Sequence, residues 1–317
     1  MPDSQLQPPA SEAATVADCI ERAAARLEDA GLFFGHGTDN ARDEATWLVL
    51  HAVNAPLDGS FSEWGAVVGP DARAEIDRLI EARCTGGEPL AYLTGSAWFA
   101  GLEFEVTREV LVPRSPIAEL VQDRFRPWLD PDKALRVLDL CTGCGCIGIA
   151  AARYLPRARV DAADISPTAL RVAARNVRRH GMESRVSLIE SDLFHSIPGN
   201  RYDLIVSNPP YVPLGDIGAL PTEYRSEPSL GLASGGDGLD AAMEILLRAP
   251  DFLADAGVLI CEVGESEQRL SELLPRVPFL WLEFETGGEG VFLLDRRQLL
   301  DARGDVEAAL RKRQHVA

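Results

Sequence analysis

The sequence predicts an α/β protein, in which a small N-terminal helical domain precedes a doubly wound, mostly parallel sheet. From Arg136 onward, short apolar runs alternate with stretches of helical periodicity, as in successive strand–helix units. Before residue 95, apolar residues recur at helical spacing. The last two apolar runs are joined by the short link Thr286–Gly290, which suits a hairpin, so we expect one antiparallel strand near the end of the sheet.

The order of these patterns divides the chain into five segments. Amphipathic helices are predicted over Thr15–Ala30, Ala41–Val53 and Asp71–Thr85. Because a few helices cannot easily host catalysis alone, we interpret this part as a substrate-recognition domain or a lid. The predicted segments are a disordered tail at 1–14, the helical domain at 15–95, a β-hairpin linker at 96–115, the main α/β domain at 116–300 and a C-terminal tail at 301–317.

The linker carries a candidate binding residue. Leu102–Val106 alternates apolar and acidic residues and Val110–Val112 is apolar, so these two runs are predicted to pair as the hairpin. Arg114 follows, between Pro113 and Pro116. A guanidinium fixed there can bind a carboxylate or a carbonyl of a substrate, or it can tie the hairpin to the next helix. The sequence leaves both interpretations open.

A glycine-bearing loop follows the first strand of the main domain. The apolar run Val137–Leu140 leads into Cys141–Cys146, and a helix is predicted from Ile147 to Tyr154. Gly143 and Gly145 let the backbone approach a ligand, which would then face the N-terminus of that helix.

Asp164 ends the second predicted strand of this domain. It follows Gly143 by about twenty residues, the spacing of a carboxylate that binds two ribose hydroxyls. The alternative is that Asp164 only caps the helix that begins near Pro167. The third strand, Val186–Ile189, is followed by Asp192 and Leu193, where an acid can accept a hydrogen bond from an adenine amine and an apolar side chain can cover the ring.

The fourth strand, Leu204–Val206, runs into the tetrapeptide Asn208-Pro209-Pro210-Tyr211. Two consecutive prolines end the strand and stiffen the backbone. The amide oxygen of Asn208 and the carbonyl of Pro209 therefore form a rigid pair of acceptors for a planar NH2 group, beside the ring of Tyr211. A plain turn is the alternative for Asn-Pro alone. Glu262, at the end of a later strand, either helps to place this NH2 group or is a buried structural carboxylate.

Six cysteines are scattered along the chain, and Cys141, Cys144 and Cys146 fall in the glycine-bearing loop. Structural zinc sites take four ligands, and no matching Cys or His pair is in view, so we predict no metal. Free thiols indicate a reducing cytoplasm, and no apolar run is long enough to span a membrane.

The charge of the chain limits its partners. The 317 residues include 49 acidic and 31 basic side chains, for a formal net charge of −18. Such a surface repels nucleic acid unless a local basic patch compensates, so direct DNA binding is not expected. A basic protein partner would be attracted.

Taken together, these motifs resemble those of the HemK/PrmC/PrmB group of glutamine-amide methyltransferases. The resemblance rests on Asp139-Leu140-Cys141-Thr142-Gly143-Cys144-Gly145, on Asp164 and on Asn208-Pro209-Pro210-Tyr211, and it extends from about Ala17 to Leu300. Within the group, Phe34–Asn40, Val112–Ile117 and Leu282–Phe284 with Gly287-Gly288 look like the PrmB branch. The resemblance implies a seven-stranded, Rossmann-like class I methyltransferase domain at 116–300, joined by a hairpin to the helical domain.

The resemblance also implies site residues, carried over position by position. S-adenosyl-L-methionine would contact Asp139, Cys141, Thr142, Gly143, Cys144, Gly145, Asp164, Asp192, Leu193 and Asn208. A substrate glutamine would be held by Asn208, Pro209, Pro210 and Tyr211, with Arg114 and Glu262 as further candidates, and Asn208, Pro209 and Tyr211 are the predicted catalytic residues. The release-factor branch often has a glycine at the position of Cys141.

The implied substrate is the third large-subunit ribosomal protein. The release-factor branch typically has an Arg-Pro-Asp-Thr-Glu run after the hairpin, whereas this chain has Arg114-Ser115-Pro116-Ile117-Ala118. Methylation of a release factor is the nearest alternative. An adenine-amine nucleic-acid methyltransferase and a non-catalytic S-adenosylmethionine-binding assembly factor are the more distant ones.

Overall fold

The computed structural model describes residues 14–199 and 201–314. It separates into two compact units, of which the first ends at Thr94 and the second begins at Gly95. Apart from Ala14, the predicted tail at 1–14 lies outside the described residues, as do the last three residues of the predicted C-terminal tail.

The first unit is helical. Its helices are α1 (Val16–Asp29), α2 (Ala41–Ala52), α3 (Pro70–Gly86) and α4 (Leu90–Thr94). The Thr15 hydroxyl and the Asp18 carboxylate form a reciprocal capping box that starts α1. Asn40 caps α2 by accepting a hydrogen bond from Asp43 N. The three predicted helices are confirmed, and each boundary lies within one residue of the expected one.

A buried ion pair fixes the loop between α1 and α2. Arg83 on α3 bonds Glu44 on α2, with Nε to Oε1 at 2.6 Å and both side chains buried. The guanidinium also donates to the carbonyl of Phe33, and Thr38 donates to the second oxygen of Glu44. The loop that carries Phe34–Asn40 is therefore held around a charge pair that has been removed from water.

The second unit begins with a hairpin that differs from the predicted one. Strand β1 (Ser96–Phe99) pairs antiparallel with β2 (Leu102–Glu105) through a turn at Ala100 and Gly101, which have φ values of 49° and 74°. Val110–Val112 was predicted as the second strand, and this was wrong. Val112 is buried, but its N–H donates to the carboxylate of Glu227. The backbone of this segment is therefore bonded to a side chain and not to a neighbouring strand.

The rest of the unit is built on seven strands among the described residues. They run in the order β5-β4-β3-β6-β7-β9-β8. Their bounds are β3 (Arg136–Leu140), β4 (Arg159–Asp164), β5 (Val186–Glu190), β6 (Tyr202–Ser207), β7 (Leu253–Glu262), β8 (Leu280–Trp281) and β9 (Val291–Asp295). The helices are α5 (Ile117–Gln122), α6 (Cys146–Tyr154), α7 (Pro167–Arg179), α8 (Ser229–Leu232), α9 (Asp240–Phe252), α10 (Glu267–Leu273) and α11 (Arg296–Gln314).

The sheet matches the predicted class. Strands β3 to β7 are parallel, and β9 runs antiparallel to both β7 and β8, which confirms the expected antiparallel strand. The central strands β3 and β6 are buried over nearly all of their residues, as expected for a parallel sheet covered on both faces. The prediction of an α/β protein with a helical N-terminal region is confirmed.

Helix α11 corrects the C-terminal prediction. Residues from 301 onward were predicted as a tail, but α11 continues to Gln314 and packs on α9 and β7. Leu299, Ala302, Val306 and Ala309 recur at helical spacing and are buried. The many charged residues and Gly304 in this stretch hide that apolar face in the sequence.

Candidate active site

The carboxyl ends of the parallel strands open into a cavity of about 1020 Å³. Residues at or just after the ends of β3 to β7 line it: Cys141, Asp164, Asp192, Asn208 and Glu262. The chain passes from β3 through β4 to β5 on one side and then crosses to β6 on the other. The cavity therefore lies where the strand order reverses, which is the usual ligand position in an open α/β sheet.

The glycine-bearing loop forms one wall of the cavity. Cys141, Gly143 and Gly145 all have left-handed φ values, of 59°, 57° and 87°. A Cβ atom on Gly145 would lie 2.9 Å from the side chain of Ile149, whereas one on Gly143 would meet no atom within 4 Å. Gly145 thus allows the loop to pack on α6, and Gly143 leaves its backbone open to a ligand.

Asp139 supports this loop from beneath. Its Oδ2 atom accepts hydrogen bonds from the Thr142 hydroxyl at 2.5 Å and from Gly148 N at 2.8 Å. The carboxyl is fully buried and is not part of the cavity wall. Burial raises its pKa to about 7, against the opposing effect of the two hydrogen bonds. Asp139 was predicted to contact the cofactor directly, but the structure places it behind the loop, away from the cavity.

Asp164 faces the loop from the end of β4. Its Oδ2 accepts a hydrogen bond from Gly143 N at 2.8 Å, and its Oδ1 accepts one from Ser166 N at 2.9 Å. The cap of α7 is Ser166, whose hydroxyl accepts from Ala169 N, so Asp164 does not have that role. Burial raises its pKa. The carboxylate lines the cavity with lone pairs still available for the hydroxyls of a ribose.

Two apolar residues, Ile165 and Leu193, line the part of the cavity near Asp164 where the base of a nucleoside would lie. Ile165, directly after Asp164, is 47% exposed and lines the cavity. Asp192 and Leu193 line the same region, and Leu193 has a left-handed φ of 44°. The Ser191 hydroxyl holds this turn by donating to the carbonyl of Leu193. An adenine ring can pack between the two aliphatic side chains, with the Asp192 carboxylate as an acceptor.

The tetrapeptide Asn208–Tyr211 forms another part of the cavity wall. All four residues line the cavity, and Asn208 follows the last residue of β6. Within the described ranges, neither the amide of Asn208 nor the carbonyl of Pro209 accepts a hydrogen bond from the protein. Both oxygens are thus available to a ligand. Downstream, the corner is fixed by a parallel bridge between Val212 and Ala233.

Glu262 and Arg114 both lie on the cavity wall but have protein partners. Tyr211 donates its hydroxyl to Glu262 Oε1 at 3.0 Å, and Ser115 donates to Glu262 Oε2 at 2.5 Å. Burial raises the pKa of Glu262 to about 7, although its hydrogen bonds and nearby Arg114 oppose the shift. Arg114 forms a bidentate pair with Glu227, with both N–O distances at 2.6 Å.

The Arg114 pair is a structural tie, but it leads to the distant segment around Glu227 and not, as one sequence interpretation expected, to the next helix. Burial lowers the pKa of the guanidinium, but the Glu227 carboxylate outweighs this effect, so Arg114 remains charged. Its guanidinium carbon also lies 4.9 Å from the centre of the Tyr224 ring. Arg114 thus ties the segment after the hairpin to the segment around Glu227, and its charge is already neutralised by the protein.

Carboxylates outnumber guanidinium groups on the cavity wall, as far as the chain is described. The acidic lining residues are Glu109, Asp164, Asp192, Asp216, Asp240, Glu262, Glu265 and Glu289, and the basic ones are Arg114 and Arg269. Such a wall repels phosphate groups and favours a cationic ligand. No group of three or more His, Cys, Asp or Glu side chains within residues 14–199 and 201–314 is arranged to hold a metal ion.

The chain is similar to curated proteins over nearly the whole length of both chains. The chain is 50% identical to the ribosomal protein uL3 glutamine methyltransferase of Xylella fastidiosa, over 95% of this chain and 96% of that protein. It is 48% identical to the protein of the same name from Neisseria gonorrhoeae, over 92% and 97% of the two chains.

The chain belongs to the ribosomal protein uL3 glutamine methyltransferase family. It is therefore a methyltransferase, as the sequence motifs predict. The family model for the methyltransferase small domain matches residues 125–217, and that for the PrmC N-terminal domain matches residues 18–95. Among solved structures, a methyltransferase from Pyrococcus furiosus is similar at 18% identity, with a TM-score of 0.45 and coverage of 62% of this chain and 89% of that one.

The methyltransferase brings nearly all of its predicted site residues to one cavity, and Asp139 and Gly145 are the two that lie behind the wall. Sequence reasoning missed Ile165, whose signal was an apolar residue next to a strand-ending acid. It also missed Asn176 on α7, which is fully buried and donates to the carbonyls of both Glu105 and Cys144. The only signal for Asn176 was an amide on the apolar face of a helix.

Proposed function

We propose that this methyltransferase transfers the methyl group of S-adenosyl-L-methionine to the side-chain amide nitrogen of a glutamine in ribosomal protein uL3. The observation that carries the proposal is the close, end-to-end identity to proteins of that name. The cavity supports it, because a corner that offers two free acceptor oxygens lines the same cavity as a loop suited to a nucleoside.

The cavity residues fit S-adenosylmethionine. The Asp164 carboxylate would accept the ribose hydroxyls, and the Gly143 backbone is open where the ligand would pass. Ile165 and Leu193 would enclose the adenine. The acidic wall suits the positive charge of the sulfonium and of the methionine ammonium group. Bound in this way, S-adenosylmethionine would supply an electrophilic methyl group.

The amide nitrogen of glutamine is a weak nucleophile, because its lone pair is delocalised into the carbonyl. In our proposal, the Asn208 oxygen and the Pro209 carbonyl accept its two N–H bonds and fix the orientation of the nitrogen. Both acceptors also stabilise the positive charge that grows on nitrogen as the N–C bond forms and the C–S bond breaks. A proton then leaves the nitrogen for solvent, and the products are N-methylglutamine and S-adenosylhomocysteine.

The acidic cavity wall disfavours the nucleic-acid alternative, because a flipped adenine would bring its backbone phosphates to these carboxylates. None of the helices in the described part of the chain has the length and apolar character to cross a membrane. We infer a cytoplasmic site of action from the proposed substrate, since ribosomal proteins are made and assembled there.

The test is methyl transfer to purified proteins. The enzyme is incubated with methyl-labelled S-adenosylmethionine and, separately, with uL3, a release factor or duplex DNA, and products are mapped by mass spectrometry. We expect one methyl group on a glutamine of uL3, and a rate about 150-fold lower with the Asn208→Ala variant. Methylation of the release factor or of DNA in preference to uL3 would overturn the proposal.

A further inference from the structure

Tyr211 is held in place at both its hydroxyl and its backbone. The hydroxyl donates to Glu262 Oε1 at 3.0 Å, and the backbone carbonyl accepts from the Ser266 hydroxyl at 3.1 Å. Burial raises the pKa of the phenol well above its ordinary value, and the nearby Glu262 carboxylate raises it further. Tyr211 is therefore a neutral donor with one defined acceptor.

Two glycines with left-handed backbones complete the enclosure of Tyr211. Gly264 has a φ of 48°, and a Cβ atom there would lie 2.7 Å from the ring. Gly238 has a φ of 83°, and a Cβ atom there would collide with the Tyr211 carbonyl oxygen. Any side chain at either position would displace the tyrosine, so the fold leaves one place for this ring.

The acceptor of the Tyr211 hydroxyl is itself fixed. Glu262 is 4% exposed and ends β7. Its second oxygen accepts from the Ser115 hydroxyl, and that hydroxyl in turn accepts from Ile117 N at 3.2 Å, at the start of α5. Three segments that are distant in sequence thus meet at one carboxylate.

We propose that Glu262, held by Ser115, is a positioning residue of the transfer reaction: it fixes the Tyr211 ring beside the acceptor pair and so sets the plane in which the substrate amide lies. This inference rests on the proposed function. It assigns Glu262 an action through Tyr211, in place of a direct contact with the amide, because both carboxylate oxygens already accept hydrogen bonds from the protein.

The network in this form requires an ionised carboxylate. Two hydroxyls donate to Glu262, so a proton on it would force one of the two bonds to break or to reverse. The groups that face Glu262 are Ser115, Tyr211 and Arg114, with Cys261 next to it on β7. Because Arg114 stays charged in its pair with Glu227, the carboxylate of Glu262 is the group in this network that titrates near neutrality.

The experiment measures single-turnover methylation of uL3 against pH for the wild type, Glu262→Gln, Ser115→Ala and Tyr211→Phe. We expect the wild-type rate to rise as pH increases through about 7, where Glu262 loses its proton. The Glu262→Gln variant should lose this rise, and Ser115→Ala should shift it to higher pH, because the lost hydrogen bond favoured the ionised form. Asp139 also titrates near pH 7, but it does so in every variant, so its effect on the rate is the same in all of the compared pH profiles.

Rate and affinity should separate. The Glu262→Gln and Tyr211→Phe variants should each lower the rate by about tenfold to 100-fold, since small misplacement of reacting groups is costly, with S-adenosylmethionine affinity unchanged. The double variant should fall within about twofold of the slower single variant, because both changes act on the same contact between the Tyr211 hydroxyl and the side chain of residue 262. Tyr202→Phe is the matched control: Tyr202 begins β6, donates to Asp161 at 2.7 Å and lies away from the cavity wall.

The outcomes distinguish this inference from the proposed function. If the wild type does not methylate uL3, the proposed function fails. If the wild type is active but the Glu262→Gln rate keeps the wild-type pH profile, or if the two single losses multiply in the double variant, Glu262 does not act through Tyr211. An equal loss in Tyr202→Phe would show that any tyrosine–carboxylate bond in the sheet has the same effect, and would also overturn the inference.

Discussion

We expect the Asn208→Ala substitution to reduce the rate of methyl transfer strongly and to leave stability and cofactor affinity nearly unchanged. The Asn208 side chain lines the cavity and, in the part of the chain described, accepts no hydrogen bond from the protein. Its removal therefore leaves no protein donor unsatisfied, and we expect the free energy of unfolding to change by less than about 1 kcal/mol. The loss should appear almost entirely in the reaction.

The size of the loss follows from the two acceptors of the corner. Asn208 and the Pro209 carbonyl would share the two N–H groups of the substrate amide, so the variant keeps one acceptor of two. Removing one pre-organised group that stabilises developing charge costs about 3 kcal/mol of barrier. This corresponds to a rate reduction of about 150-fold.

The assay is single-turnover methylation of uL3 at saturating S-adenosylmethionine, with cofactor affinity measured separately by calorimetry. Asn208→Asp is the matched control, because it keeps an acceptor oxygen at the same place and should retain more rate than the alanine variant. The sequence also placed Asn208 among the cofactor contacts. If cofactor affinity falls by the same factor as the rate, Asn208 belongs to the cofactor site and the reasoning about two amide acceptors is wrong.

Three further predictions concern the supports of the site. Asp139 has its pKa raised from 3.8 to about 7, so wild-type stability should fall as pH rises between these values, by up to about 4 kcal/mol. The Asp139→Asn variant lacks this titrating carboxyl, so the melting temperature of the variant minus that of the wild type should increase from pH 4.5 to 7.5. A difference that stays constant over this range would contradict the raised pKa of Asp139. Cys141→Gly should raise the free energy of unfolding by about 1 kcal/mol in denaturant titrations, because Cys141 has a left-handed φ of 59° that glycine adopts without strain; an unchanged midpoint would count against this. Arg114→Ala should lower stability by about 3 kcal/mol, because it leaves the carboxylate of Glu227 buried without its bidentate partner. Adding Glu227→Gln should recover part of that loss in thermal unfolding, and further destabilisation would show that the pair is not the reason.

Much of the site could be predicted because its parts are local. Asp164 ends its strand and Asn208 directly follows its own, and the carboxyl ends of parallel strands meet at one edge of the sheet. The prolines at 209 and 210 stop their strand whatever surrounds them. Strands β3 to β6 were predicted within two residues of their observed bounds for the same reason.

The errors occurred where the partner lies far away in the chain. Val110–Val112 is apolar, so it was predicted as a strand, but its segment is fixed by Glu227, more than a hundred residues later. The charged stretch after residue 301 forms a helix because α9 and β7 provide a surface for its few apolar residues. Neither surface nor partner is visible in the local pattern.

The sequence by itself determined the class of fold, the glycine-bearing loop and the proline-bounded corner, because each depends on backbone preferences and periodicity within about ten residues. Only the tertiary structure decided what the charged residues do. Arg114 pairs with Glu227 across 113 residues, and Ser115 bonds Glu262 across 147. A side chain between two elements takes the partner that the path of the chain brings to it, and burial then makes that pairing necessary by removing the alternative of water.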